Sequence, residues 1–165
     1  MDINKIPGQV SALIDANIFI YHLAGLSSDC TTFLRRVARG EFDSYVTTIV
    51  VAEVLHRRML GEAVAKGLVS ASQALKKLKA NPQLVTQLTD YIADVRTILL
   101  LPIKIAEITA ADIESSHSLR QAHGLFVNDS INLACAERLG IKHFVTRDGD
   151  FAVVPDLSVW SPADI

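Results

Sequence analysis

The chain has 165 residues, of which 50% are hydrophobic and 21% charged, with a formal net charge of -2 at pH 7. That length and apolar content suit a single domain over 1–165 with a real core, and exclude a disordered chain. The near balance of basic and acidic residues excludes a polycationic nucleic-acid coat, while leaving room for local basic patches.

Pro7-Gly8 marks a turn, after which Val10 to Ile14 reads as a short buried strand. Asp15-Ala16-Asn17 ends it, and a helix begins around Ile18 to Leu23. A second helix is predicted over Thr31 to Arg39, with Phe33, Leu34 and Val37 inward and Gly40 stopping it. Ser44 to Thr47 is a second strand, and Thr47 or Thr48 caps the helix that carries Val50, Val51, Val54 and Leu55 inward. Glu62 to Thr97 is helix-rich, divided into two helices at Asn81-Pro82. Leu99 to Ile103 is a third strand, interrupted by Pro102. Thr109 caps a helix running to Ala122. Asn128 or Asp129 caps the next, with Ile131, Ala134, Cys135 and Leu139 on its inner face. His143 to Thr146 and Leu157 to Trp160 complete the strands. Short apolar strands alternating with amphipathic helices specify an α/β fold, a Rossmann-like parallel sheet with helices on both faces.

Open parallel sheets bind ligands in the crevice beyond the carboxyl ends of their strands. Asp15 lies at that end of the first strand and Asp148 follows the fourth, in TRDGDF. Glu53 is near the start of the helix after the second strand, and Asp129 opens the helix leading into the fourth. Helix starts after parallel strands share that edge, so four acids distant in sequence are expected to converge there. Taken singly, each has a plain structural role: Asp15 as a strand terminator, Glu53 as a helix surface residue, Asp129 as an N-cap, Asp148 and Asp150 as turn formers around Gly149. Taken together they form a costly group. Two unit charges about 4 Å apart repel by about 4 kcal/mol at an effective dielectric of about 20. Such a cluster must raise some of its pKa values or bind cations. Oxygen ligands without His or Cys suit Mg²⁺ or Mn²⁺ rather than zinc, and phosphodiester hydrolysis is the reaction that uses this arrangement most naturally.

Basic residues group at Arg35, Arg36 and Arg39, at His56, Arg57 and Arg58, and at Lys76, Lys77 and Lys79. Solvated helix faces account for such runs, but Arg57 and Arg58 follow Glu53 closely enough to be candidates for contact with nucleic-acid phosphates. The histidines have no metal-ligand spacing, the serines no His/Asp partners, and no Gly-rich phosphate loop is present. Cys30 and Cys135 are too few for a disulfide framework or a structural zinc site. The greasiest run, Ile98 to Ile103, is far short of the roughly 20 apolar residues of a membrane span. MDINKIPGQV lacks the features of a signal peptide, so a cytoplasmic location without membrane attachment is expected.

Four segments, LIDANIFIY (13–21), TTIVVAEVLHR (47–57), NDSINLACAERLG (128–140) and HFVTRDGDF (143–151), resemble the PIN-domain family in order and spacing, most closely the VapC-type ribonuclease toxins of VapBC toxin–antitoxin pairs. The resemblance implies a Mg²⁺- or Mn²⁺-dependent endoribonuclease. By position, Asp15, Glu53, Asp129 and Asp148 match the family's acidic quartet, and Asp150 an additional acid of many members. Asn17 matches a polar residue that steadies the first carboxylate, and Thr146 the hydroxyl at the end of the fourth strand. The resemblance also implies a cognate antitoxin and a homodimer. Two features depart from the family: a longer helical stretch from Gly61 to Leu100 and a longer leader before Asp15. An RNA-processing nuclease without an antitoxin, or a catalytically silent interaction module, remains an alternative. An aspartyl-phosphate phosphatase is disfavoured, because Asn17 stands where such enzymes carry a second Asp.

Overall fold

The computed structural model describes residues 1–165. Five parallel strands form one sheet: β1 (Ser11–Ile14), β2 (Asp43–Thr47), β3 (Ile103–Ala106), β4 (His143–Val145) and β5 (Ser158–Trp160), in the order β3-β2-β1-β4-β5. The order reverses at β1, so the crevice beyond the ends of β1 and β4 is the topological switch point at which open α/β sheets bind ligands.

The helices are α1 (Ala16–Leu23), α2 (Ser28–Ala38), α3 (Thr48–Ala65), α4 (Ala74–Ala80), α5 (Pro82–Val85), α6 (Asp90–Leu99), α7 (Ala110–His123) and α8 (Val127–Arg138). Strand side chains alternate between two cores. Ala12 and Ile14 join Val46 and Val145 under α1, α2, α3 and α6, whereas Leu13 and Phe144 face Leu133 and Ala136 of α8 together with Phe151. The Phe144 and Phe151 rings lie 4.9 Å apart, a contact worth about 1 kcal/mol beyond the area it buries.

Several local expectations are corrected. Residues 99–102 do not form a strand: Leu99 ends α6, and β3 begins at Ile103. Pro102 has no N–H to give a ladder, so pairing starts after it. α1 and α2 begin earlier than expected, at Ala16 and Ser28, because Asp15 and Ser27 accept N-terminal backbone N–H groups as caps. α8 starts at Val127 after Phe126, so neither Asn128 nor Asp129 caps it, and Asp129 sits in its first turn with its carboxylate uncommitted to capping. Leu139 is the C-terminal cap of α8 and 39% exposed, and Leu133 and Ala136 replace it on the inner face.

The stretch from Gly61 to Leu100 holds three helices after the end of α3 rather than two in all, with Pro82 starting α5. Ala63, Val69, Ala74, Leu78 and Leu88 give this region a small core of its own, apart from the sheet. Glu62 ties it to the rest: its buried carboxylate accepts hydrogen bonds from the N–H groups of Thr89 and Tyr91, both at 2.9 Å. It thereby caps α6, which has no side-chain cap of its own. No helix is long and apolar enough to cross a membrane.

Candidate active site

Asp15 follows β1 directly, and its backbone N–H continues the ladder by donating to the Val145 carbonyl at 2.9 Å. One carboxylate oxygen accepts from the Ala16 N–H at 2.6 Å. The other accepts from Asn17 Nδ2 at 2.6 Å and from the Thr146 hydroxyl at 2.7 Å. Thr146, fully buried one residue beyond β4, also accepts from Asn17 Nδ2 at 3.0 Å and from the Asp148 N–H at 2.9 Å. Asn17 Oδ1 in turn accepts from the Arg147 N–H at 3.1 Å. The Asn17 and Thr146 side chains therefore bolt the loop after β4 to the loop after β1. Asp148 Oδ1 accepts the Asp150 N–H at 2.9 Å, which folds the DGD turn and brings the second acid back beside the first.

Asp15, Glu53, Asp129 and Asp148 line one cleft of about 360 Å³ together with Asn17, Arg57 and Arg147. Carboxylate oxygens of Asp129, Asp148 and Asp150 lie within 4.8 Å of one another. The sequence placed these acids at one sheet edge, and the fold brings them together there. Helical spacing separates the two arginines after Glu53. Arg57 reaches the cleft, whereas Arg58 is turned toward α6 and donates Nη2 to Asp94 Oδ2 at 2.6 Å. Successive helix residues point about 100° apart, so only one of the pair can face the acids. Two of the three second-helix arginines are likewise consumed: Arg36 binds Glu41 and the carbonyls of Asn4 and Ile6, and Arg39 binds Glu41.

Two lining residues escaped the sequence reading. Tyr21 lies one helical turn beyond Asn17 on α1, a spacing that puts both on one face. Arg147 sits between Thr146 and Asp148, so its place in the TRDGDF turn carried the signal.

The electrostatics follow from the crowding. Burial pushes the Asp129 carboxyl up to about 6, and the neighbouring Asp15, Asp148, Asp150 and Glu53 add to the shift. Burial also raises the Asp15 carboxyl, against the Thr146 and Ala16 hydrogen bonds, and the charges of Glu53 and Asp148 push the same way. A cation in the cleft would reverse both effects. The donor set consists of carboxylate oxygens without His or Cys, which suits a hard divalent ion.

The chain is similar throughout to one chain of a toxin–antitoxin complex from Klebsiella pneumoniae, at 25% identity and a TM-score of 0.58, over 93% of this chain and 99% of that one. A VapBC complex from Rickettsia felis, solved with a fragment of its promoter DNA, matches at 18% identity and a TM-score of 0.56, over 92% and 98% of the two chains. A sarcin-ricin-loop-cleaving VapC toxin of Mycobacterium tuberculosis shares the fold at 14% identity and a TM-score of 0.55, over 87% and 95%. No curated protein sequence matches the chain. The PIN domain family model matches residues 12–157, from the start of β1 to the approach to β5, and so takes in every acid of the cleft. The chain belongs to the PIN domain family.

Proposed function

We propose that the protein is a metal-dependent endoribonuclease that hydrolyses RNA phosphodiester bonds, the toxin component of a toxin–antitoxin pair, working as one domain over 1–165. The observation that carries this reading is the convergence of Asp15, Glu53, Asp129 and Asp148 at the switch point of the sheet. Asp15, Glu53, Asp129, Asp148 and Asp150 would hold Mg²⁺ or Mn²⁺, and Asp129, Asp148 and Asp150 carry the mutually close carboxylate oxygens. Such an ion supplies positive charge against the phosphate oxygens and makes nearby water more acidic. The chain does the rest. Asn17 and Thr146 keep the Asp15 carboxylate in one orientation through the bonds described above. Glu53, on the first turns of α3, or Asp148, after β4, orients the attacking water. Arg57 contacts a backbone phosphate of the RNA.

The toxin assignment is supported by relatives solved as toxin–antitoxin complexes. A cognate antitoxin that lays a basic side chain in the cleft would offset the same charge as the metal. A homodimer would cover part of the apolar surface this fold leaves open, which includes Leu100 at 85%, Ile105 at 47% and Ile113 at 55% exposure. A cytoplasmic location accords with an RNA substrate.

The test is cleavage of total RNA with Mg²⁺ or Mn²⁺ by the intact protein, Asp15→Asn and Asp129→Asn. Both variants are expected to lose at least about a hundredfold in rate, the scale on which removal of an electrostatic group in a site acts. Equal activity in all three proteins would overturn the reading.

A further inference from the structure

Arg147 lines the acidic cleft, yet its guanidinium is bound by none of the acids. Its Nε donates instead to the main-chain oxygen of Ile165 at 2.9 Å. An arginine free to move beside several carboxylates would fold onto one of them as a charge-assisted, bidentate pair. Here a main-chain oxygen from outside the cleft takes the inner donor, and both Nη groups are left without a protein partner.

The segment that supplies this oxygen is itself fastened at several points. Ser161 Oγ donates to the Thr146 carbonyl at 2.7 Å, and the Ala163 N–H to Asp29 Oδ2 at 2.8 Å. The Asp164 carboxylate accepts from Ser27 Oγ at 2.6 Å and from the Ser28 and Asp29 N–H groups at 2.7 and 3.1 Å. These are the free backbone donors at the start of α2, where a carboxylate also meets the favourable end of the helix dipole. Residues 161–165 thus run from the end of β5, past Thr146, to α2, and the main-chain oxygen of Ile165 meets Arg147.

We propose that Arg147 binds an RNA phosphate at this cleft, and that the 161–165 segment is a brace holding its guanidinium clear of the neighbouring carboxylates. A planar guanidinium with both Nη groups free matches two phosphate oxygens. The proposal deepens the nuclease reading and rests on it for the substrate class. In it Arg147 touches substrate, and Asp164 is a positioning residue that acts only through Arg147.

The experiment measures binding of a short fluorescein-labelled single-stranded RNA across a salt series with Mg²⁺ present, in an Asp129→Asn background, alongside kcat and KM for the wild-type background. Arg147→Ala is expected to weaken binding about tenfold, the worth of a charged hydrogen bond. It should also flatten the salt slope by about 0.7, the contribution of one phosphate on a single strand. KM should rise with kcat little changed, the mark of uniform binding. Arg147→Lys keeps the charge but lacks the Nε donor, and should fall between the two. Asp164→Ala should raise KM, and should add nothing when combined with Arg147→Ala. Arg147→Ala with unchanged KM and salt slope would overturn the phosphate contact while the nuclease reading stood. Full additivity of the two substitutions, or wild-type behaviour of Arg147→Lys, would overturn the brace. Weakened RNA binding by Arg147→Ala in a protein that cuts no RNA would support the contact and remove the hydrolytic reading instead.

Discussion

The Thr47 hydroxyl donates to Asn132 Oδ1 at 2.7 Å, and both side chains are buried, at 0% and 5% exposure. Thr47 also caps α3 by accepting the Val50 N–H at 3.1 Å, and α3 carries Glu53. Asn132 stands one turn beyond Asp129 on α8. One hydrogen bond thus fixes the distance between the two helices that bring acids into the cleft from opposite sides. It works on packing, one step back from the chemistry. Thr47→Val keeps the shape but removes the cap and leaves Asn132 Oδ1 without its donor. It should cost about 3 kcal/mol, the sum of a lost cap and a stranded buried acceptor, as a lower urea midpoint with an unchanged m-value.

Asp129 makes the metal-free protein sensitive to pH. Its folded pKa of about 6 lies above the ordinary value of 3.8. Between those values the folded chain keeps a proton that the unfolded chain has released, so stability falls as pH rises through this window. Above about 6 the penalty is complete. Asp129→Asn removes it. In EDTA the variant should therefore gain stability relative to wild type from pH 4 to 7, by chemical denaturation, and Mg²⁺ or Mn²⁺ should close the gap by stabilising the wild type alone. A pH-independent difference between the two proteins would count against the crowding of charge as its cause.

Asp112 titrates in the opposite sense. Arg138 grips it with Nε on one oxygen at 2.7 Å and Nη2 on the other at 2.9 Å, and Thr109 completes a capping box at the start of α7. The Arg138 bond is the main reason its carboxyl is held at about 2, against the cost of burial. The folded pKa is depressed, so this stabilisation is fully present above 3.8 and is lost as pH falls through about 2. Asp112→Ala leaves Arg138 without its carboxylate and removes the N3 half of the capping box, and should cost about 3 kcal/mol at neutral pH. The α7–α8 pair carries Asp129, so a loss of metal affinity, read by calorimetry, should accompany the lower melting temperature.

Glu62 anchors the helices that follow α3. Burial opposes its charge, but Lys66 and the Tyr91 and Thr89 N–H groups outweigh it and hold the carboxyl at about 2. Glu62→Ala strands those two donors and should cost about 2 kcal/mol. Hydrogen exchange should quicken first across residues 89–93 and the small core of Val69, Leu78 and Leu88, leaving the sheet protected. Uniform loss of protection over the whole chain would mean that this region folds as one unit with the sheet.

The alternation of short apolar runs with helix patterns is enough to specify a parallel sheet, and the rule that such sheets bind at their carboxyl edge puts Asp15, Glu53, Asp129 and Asp148 in one place. Those inferences are local: strand period, helix period and the edge at which a helix starts. Where local signals competed, the reading slipped. The apolar run at 99–103 looked like a strand, but its first residue completes α6, and the proline blocks pairing until Ile103. Asp129 looked like a cap, but the helix had already begun at Val127.

The sequence by itself determined which residues would carry negative charge to the end of the sheet, because a chain's periodicity reports which way each side chain faces relative to its own element. Only the tertiary structure decided that Arg57 faces the acids while Arg58 is spent on Asp94, 36 residues away. It alone joined Thr47 to Asn132 across 85 residues, and Arg147 to Ile165. Those choices depend on how separate elements pack against one another, and no short-range pattern encodes that distance.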